Sequence, residues 1–133
     1  MQQNPAQAAT PRPKILLAED DPGVRRSLQL LLQGRGYDVR SYASGAALLA
    51  DRTARNAACF VSDYAMPDID GIALLRELRA DGWAGPAVLI TAYPSTRLAE
   101  QAAIEGFAMV MEKPLLDQLL TDTVARLAAP GHA

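Results

Sequence analysis

The chain has 133 residues, 50% of them hydrophobic and 21% charged, which suits one globular domain with a sizeable core and leaves too little chain for two. Thirteen basic against 15 acidic side chains leave a net charge of −2 with no block of Lys or Arg to follow a phosphate backbone, so no nucleic-acid partner is expected. The single cysteine, Cys59, excludes an intrachain disulfide and a cysteine zinc cluster, and no apolar run nears the roughly 18 residues of a membrane span.

Residues 1–13 are rich in Gln, Ala and Pro, lack a charged start followed by an apolar stretch, and read as a disordered tail without a signal peptide. A cytoplasmic, membrane-free setting is the expectation. Lys14 to Ala18 is an apolar run that ends abruptly on Glu19-Asp20-Asp21, which predicts a buried strand delivering acids at its carboxyl end. Pro22 suits a helical first turn, and Val24, Leu28, Leu31 and Leu32 recur at helical spacing until Gly34 and Gly36. A second strand is expected over 37–42.

Ser44 is a good N-cap for a short helix with Leu48 and Leu49 as its stripe, ending near Arg52. A third strand is expected over 57–62, and it stops at Asp63 before a loop closed by Pro67 and Asp70-Gly71. Ile72, Leu75 and Leu78 predict a helix up to Asp81-Gly82, and 86–90 a fourth strand ending in Thr91. Ser95 opens an Ala-rich helix to about Glu105 with a weak stripe of Leu98 and Ala102. A fifth strand over 107–111 leads to Glu112-Lys113-Pro114, and Leu116, Leu119, Leu120, Val124 and Leu127 make the last helix amphipathic to Ala128. Residues 129–133 are a short tail.

Five apolar strands alternating with five helices predict a parallel sheet covered on both faces. Right-handed crossovers then bring all strand carboxyl ends to one edge, where open sheets bind ligands. Glu19-Asp20, Asp63, Thr91 and Lys113 should therefore share one pocket. Read alone, Asp63 serves equally as a turn residue bonding its own loop, Thr91 as an N-cap and Lys113 as one half of an ion pair. Together, three carboxylates against one ammonium leave the pocket at −2, and like charges so close need a counterion. A hard divalent cation fits, and Mg²⁺ fits best because it takes one or two carboxylates and keeps several waters.

The acid pair Glu19-Asp20, Asp63-x-x-Met66-Pro67-x-x-x-Gly71, Thr91-Ala92 and Lys113-Pro114 occur in order over about residues 14–128. In this the chain resembles the receiver domain of two-component response regulators. The resemblance implies an α/β fold, a doubly wound (βα)5 flavodoxin-like three-layer sandwich with strand order 2-1-3-4-5. It implies that Asp63 is a phosphoacceptor for a sensor histidine kinase or a histidine phosphotransfer protein, with Thr91 and Lys113 serving the phosphoryl group. Asp20, Asp63 and the main-chain carbonyl of Ala65 would ligate Mg²⁺, with Glu19 acting through a water. The Lys113-Pro114 peptide would be cis. Such a domain is not an enzyme in the ordinary sense, although it takes part in its own phosphorylation and dephosphorylation.

Two features depart from the family pattern: Val110 stands where an aromatic switch residue is usual, and Tyr93-Pro94 stiffens the loop after Thr91. Signalling is then expected to pass through that loop and through repacking of Leu98 and Ile104. A downstream partner or a second copy would dock on the face of residues 95–105, 107–111 and 115–128. The chain reads as a stand-alone regulator or as a piece of a longer one. An aspartyl-phosphate phosphatase would place a second acid two residues after the nucleophile, where this chain has Ala65. The only histidine, His132, lies in the tail, which leaves neither a Ser-His-Asp hydrolase nor a histidine phosphotransfer protein.

Overall fold

The computed structural model describes residues 12–129, so the tails expected at 1–13 and 129–133 lie outside the described residues except for Arg12, Pro13 and Ala129. In chain order the elements are strand β1 (Lys14–Ala18), helix α1 (Pro22–Gln33), β2 (Asp38–Tyr42), α2 (Gly45–Ala50), a 3₁₀ segment (Arg52–Asn56), β3 (Cys59–Asp63), α3 (Gly71–Ala80), β4 (Ala87–Thr91), α4 (Thr96–Glu105), β5 (Phe107–Glu112) and α5 (Asp117–Leu127). The strands form one parallel sheet of order β2-β1-β3-β4-β5, as the resemblance implied. The 3₁₀ segment was not expected. Asp51 caps it by accepting from the Thr53 N–H, and it absorbs the residues between the short α2 and the start of β3.

Strand periodicity sorts the core into two layers. Leu16, Phe60 and Leu89 point to the side covered by Leu48 of α2, Leu74, Leu75 and Leu78 of α3, and Leu98 and Ala102 of α4. Ile15, Leu17, Val61, Val88 and Ile90 point to the other side, against Leu28 and Leu32 of α1 and Leu120, Val124 and Leu127 of α5. Because both faces of β1, β3 and β4 are covered, those strands are apolar almost throughout. Their polar residues are confined to their ends. The edge strands β2 and β5 are only partly buried.

Four helices start at side-chain caps, two of them, Ser44 and Ser95, as the sequence predicts. Asp21, Ser44, Asp70 and Ser95 each accept backbone N–H bonds at the first turns of α1, α2, α3 and α4, and such a cap stabilises a helix by about 1 kcal/mol. Gly106 ends α4 in the left-handed region, at φ 105°, and lets the chain turn directly into β5. Gly71 has a different task. A Cβ there would lie 2.7 Å from the Asp63 carbonyl oxygen and 2.8 Å from Leu89 Cδ1, so only glycine lets α3 begin against the end of β3.

Trp83 lies at the amino end of the sheet, as its place between α3 and β4 predicts. Its Nε1 donates to the Ala57 carbonyl at 3.0 Å, its ring meets Phe60 edge-on at 6.2 Å, and the Arg79 guanidinium sits 5.2 Å from its centre. Among the described residues, no helix is long and apolar enough to cross a membrane.

Candidate functional site

The carboxyl edge of the sheet gathers the residues that the sequence pointed to. Glu19 follows β1 directly, Asp63 and Thr91 are the last residues of β3 and β4, and Lys113 is the first residue after β5. Strand pairing sets their spacing, and the Lys113 N–H extends the ladder by donating to the Thr91 carbonyl at 2.8 Å. The Lys113-Pro114 peptide is cis. All three polar ends are nearly sealed from water: Glu19 is 1% exposed, Thr91 3% and Asp63 6%.

Lys113 bridges two of the acids. Its Nζ lies 2.8 Å from Glu19 Oε1 and 3.3 Å from Asp63 Oδ2. Glu19 Oε2 accepts from the Asp21 N–H at 3.2 Å, so both oxygens of this carboxylate are engaged. Burial pushes the Glu19 carboxyl above its ordinary value, against the Lys113 and Asp21 hydrogen bonds, and the Asp63 charge adds to the rise. Burial pulls Lys113 the other way, but the hydrogen bond and charge of Glu19, followed by those of Asp63, outweigh it and hold the ammonium above its usual range. The pair thus keeps Lys113 charged, while Glu19, deeper in the protein, loses more by burial than the pair returns.

Asp20 is half-buried, and among the described residues its carboxylate has neither a hydrogen bond nor an ion pair. Carboxylate oxygens of Glu19, Asp20 and Asp63 all lie within 4.8 Å of one another. That donor set is hard, anionic and only partly neutralised by Lys113, which fits Mg²⁺. Ala65 lies in the loop two residues beyond Asp63, on the exposed side. Beside the acids, the Thr91 hydroxyl oxygen accepts from the Tyr93 N–H at 3.1 Å, and Tyr93 is 87% exposed.

Several side chains take places that the sequence left open. Asp21 caps α1, and Asp70 caps α3. Asp68, in the loop after Asp63, accepts from the N–H groups of Gly45 at 3.3 Å and Ala46 at 2.8 Å, so that loop is tied to the start of α2. Arg25 donates from Nη1 to the carbonyls of Glu19 and Asp20, a contact with no sequence signal beyond a cation one turn into α1. The expectation that Ile104 repacks on signalling needs correction. Leu98 is buried, but Ile104 is 83% exposed and has no core packing to lose. Val110 packs against the α2–α3–α4 layer and Met111 is buried in the other, so Met111 is not available as a contact residue.

A five-stranded parallel sheet with an acid cluster, a threonine and a lysine at its carboxyl edge defines a signalling class, and comparison with known proteins names it. Residues 15–125 match the family model for the response regulator receiver domain, and the chain belongs to that family. It is 36% identical to the transcriptional regulatory protein FixJ of Azorhizobium caulinodans over 83% of this chain and 52% of that protein. It is 32% identical to the C4-dicarboxylate transport transcriptional regulatory protein DctD of Rhizobium meliloti over 86% of this chain and 25% of that protein. The chain therefore spans between a quarter and about half the length of these relatives. Among solved structures, FixJ-N superposes with a TM-score of 0.79 at 29% identity, covering 90% of this chain and 95% of that one. The chemotaxis protein CheY4 of Vibrio cholerae shares the fold with a TM-score of 0.82 at 24% identity, covering 87% and 98%. Receiver domains are signalling domains that bind Mg²⁺ at an acidic pocket and interact with histidine kinases and output domains.

Replacing Lys113 with Met tests the charge balance of the pocket. Glu19 and Asp63 would lose their shared cation, and breaking a buried pair costs about 3 kcal/mol, so the Mg²⁺-free protein should unfold at markedly lower urea. Mg²⁺ affinity, read by calorimetric titration, should hold or rise because a competing positive charge is gone. A fall in affinity would contradict the charge count.

Proposed function

We propose that this chain, over residues 14–128, accepts a phosphoryl group on Asp63 from a sensor histidine kinase or a histidine phosphotransfer protein and signals through changed protein contacts. The observation that carries the reading is the position of Asp63. It is a strand-end carboxylate, nearly buried, with two further acids and one ammonium in reach. In the transfer, an Asp63 carboxylate oxygen attacks phosphorus while the phosphorus–nitrogen bond of the phosphohistidine breaks, which leaves an acyl phosphate on Asp63 and frees the imidazole.

Asp20, Asp63 and the main-chain carbonyl of Ala65 would hold Mg²⁺, and Glu19 would act through a bound water. The ion supplies positive charge to the phosphoryl oxygens during transfer. Lys113 would supply a second positive charge, and its short contacts to Glu19 and Asp63 hold it in place beforehand. Thr91 can offer its hydroxyl proton to a phosphoryl oxygen. Its oxygen already accepts from the Tyr93 N–H, so a turn of the hydroxyl toward the phosphate pulls on the loop 92–95. Phosphorylation raises the charge at Asp63 from one negative to about two, and that increase drives the movement.

With Val110 in place of a switch aromatic, the readout passes through the Tyr93-Pro94 loop to α4. The contacts we assign are with proteins: a downstream partner or a second copy, docked on the face of residues 95–105, 107–111 and 115–128. Leu116 and Leu119, exposed large apolar residues within 115–128, support it. The reading applies to a stand-alone regulator and to the receiver portion of a longer chain alike.

Incubation with a small phosphodonor and Mg²⁺ should add one phosphoryl group to the wild type by intact mass, and none after EDTA or in Asp63→Asn. Equal labelling of the variant would sink the assignment. For the output face, charge reversal at Arg97 or Glu100, both exposed, should weaken partner binding or self-association while leaving phosphorylation of Asp63 unchanged. Loss of binding from changes at Gln29 on α1 instead would move the face.

A further inference from the structure

Arg25 sits one turn into α1 and is half-buried, yet its side chain reaches back past the helix start. Its Nη1 donates to two consecutive main-chain carbonyls, Glu19 at 2.9 Å and Asp20 at 3.3 Å. Those belong to the two residues whose carboxylates make up the acid pair of the candidate cation site. Among the described residues, no other side chain donates to either carbonyl.

The rest of the turn is held from several directions. The Glu19 N–H donates to the Tyr42 carbonyl at 3.0 Å, which anchors the turn to the end of β2. The Glu19 carboxylate is fixed by Lys113 and by the Asp21 N–H, and the Asp21 carboxylate by the N–H groups of Gly23 and Val24 at 2.9 and 3.0 Å. The Asp20 carboxylate is different, because its own oxygens have no partner among the described residues. Where it can reach is set first by the main chain of residues 19–21, from which its Cα–Cβ bond leaves. Arg25 is the side chain that grips the carbonyls of that main chain.

We propose that Arg25 is a positioning residue of the cation site: by bonding the Glu19 and Asp20 carbonyls it fixes the direction of the Asp20 carboxylate before any ion arrives. This rests on the reading that Glu19, Asp20 and Asp63 hold Mg²⁺. Groups outside the ligand shell that orient ligands commonly change metal affinity by about 10- to 100-fold. Here the acceptors are neutral carbonyls and the donor is half-buried, which points to the low end.

A guanidinium bonded to the main chain of Glu19 and Asp20 also has a plain electrostatic effect on the acid cluster, of opposite sign. Acting only as a charge, Arg25 would compete with the ion, and its removal would tighten Mg²⁺ binding a few-fold, roughly as Coulomb's law in high dielectric gives. Acting by position, its removal must weaken binding. The sign of the change therefore separates the two effects without reference to phosphorylation.

The test is calorimetric titration of the full chain with Mg²⁺ for wild type, Arg25→Met and Arg25→Lys, with amide hydrogen exchange at Asp21 measured in Mg²⁺-free protein. Arg25→Met keeps the apolar stem and should raise the Kd about tenfold. Arg25→Lys keeps the charge but not the planar fork, and should recover only part of that loss. The Asp21 amide, which donates to Glu19, should exchange faster in Arg25→Met while the amides of β4 keep their wild-type rates. Tighter or unchanged binding in Arg25→Met would overturn the proposal, as would wild-type exchange at Asp21. Should Arg25→Met fail to fold, Arg25→Lys carries the contrast, since a pure charge effect predicts no change in that variant. A wild type that does not bind Mg²⁺ would instead refute the cation site itself, and normal binding in all three proteins would refute only the role of Arg25.

Discussion

Three carboxylates share a nearly dry sheet edge with one ammonium, and the geometry of the pocket follows from how that imbalance is managed. Lys113 is the only cation with ion pairs to these acids among the described residues, and it is divided between Glu19 and Asp63. Among the described residues, the Asp20 carboxylate is left without a partner. Like charges at this spacing are costly away from water, so the arrangement is poised to gain from a dication. Each buried acid has some compensation from Lys113 or a backbone N–H, and that compensation is incomplete.

The parallel topology makes this crowding possible. The chain leaves β1 for β2 on one side and returns to place β3 on the other, so the strand order reverses between β1 and β3 and opens a crevice at their carboxyl ends. Glu19 and Asp20 border it from β1 and Asp63 from β3. Thr91 and Lys113 complete it from the next two strands. Gly71 matters for the same reason, since without its missing Cβ the start of α3 could not lie against the Asp63 carbonyl. The two helix layers bury the strand bodies, leaving the strand ends as the place where polar groups can stand without breaking the core.

Much of this was legible because the sequence signals were local and agreed with one another. Apolar runs ending on Glu19, Asp63, Thr91 and Lys113 gave both the strands and the site. The caps at Ser44 and Ser95 gave helix starts that the structure reproduces. What escaped depended on three-dimensional detail. The 3₁₀ segment is held by Asp51 and by Lys14, whose Nζ donates to the Thr53 carbonyl and to Asn56, a contact between residues far apart in the chain. Ile104 was misplaced because it was judged by its residue type. Two residues beyond Ala102, it stands about 200° around the helix from it, off the buried stripe. Arg25 and Asp68 bond to main chain, which leaves no pattern in sequence. Their partners are fixed only once the loops after β1 and β3 have been placed.

The central claim is that Asp63 carries a phosphoryl group as an acyl phosphate, and borohydride reduction followed by peptide mapping tests it most directly. Hydride reduces an acyl phosphate to the alcohol and releases phosphate, so protein treated with phosphodonor and Mg²⁺ should contain homoserine at position 63. The same peptide from protein treated without phosphodonor should keep Asp63. Homoserine at Asp20 or at another acid, or a phosphate that survives the hydride on a serine, threonine or tyrosine, would contradict the account.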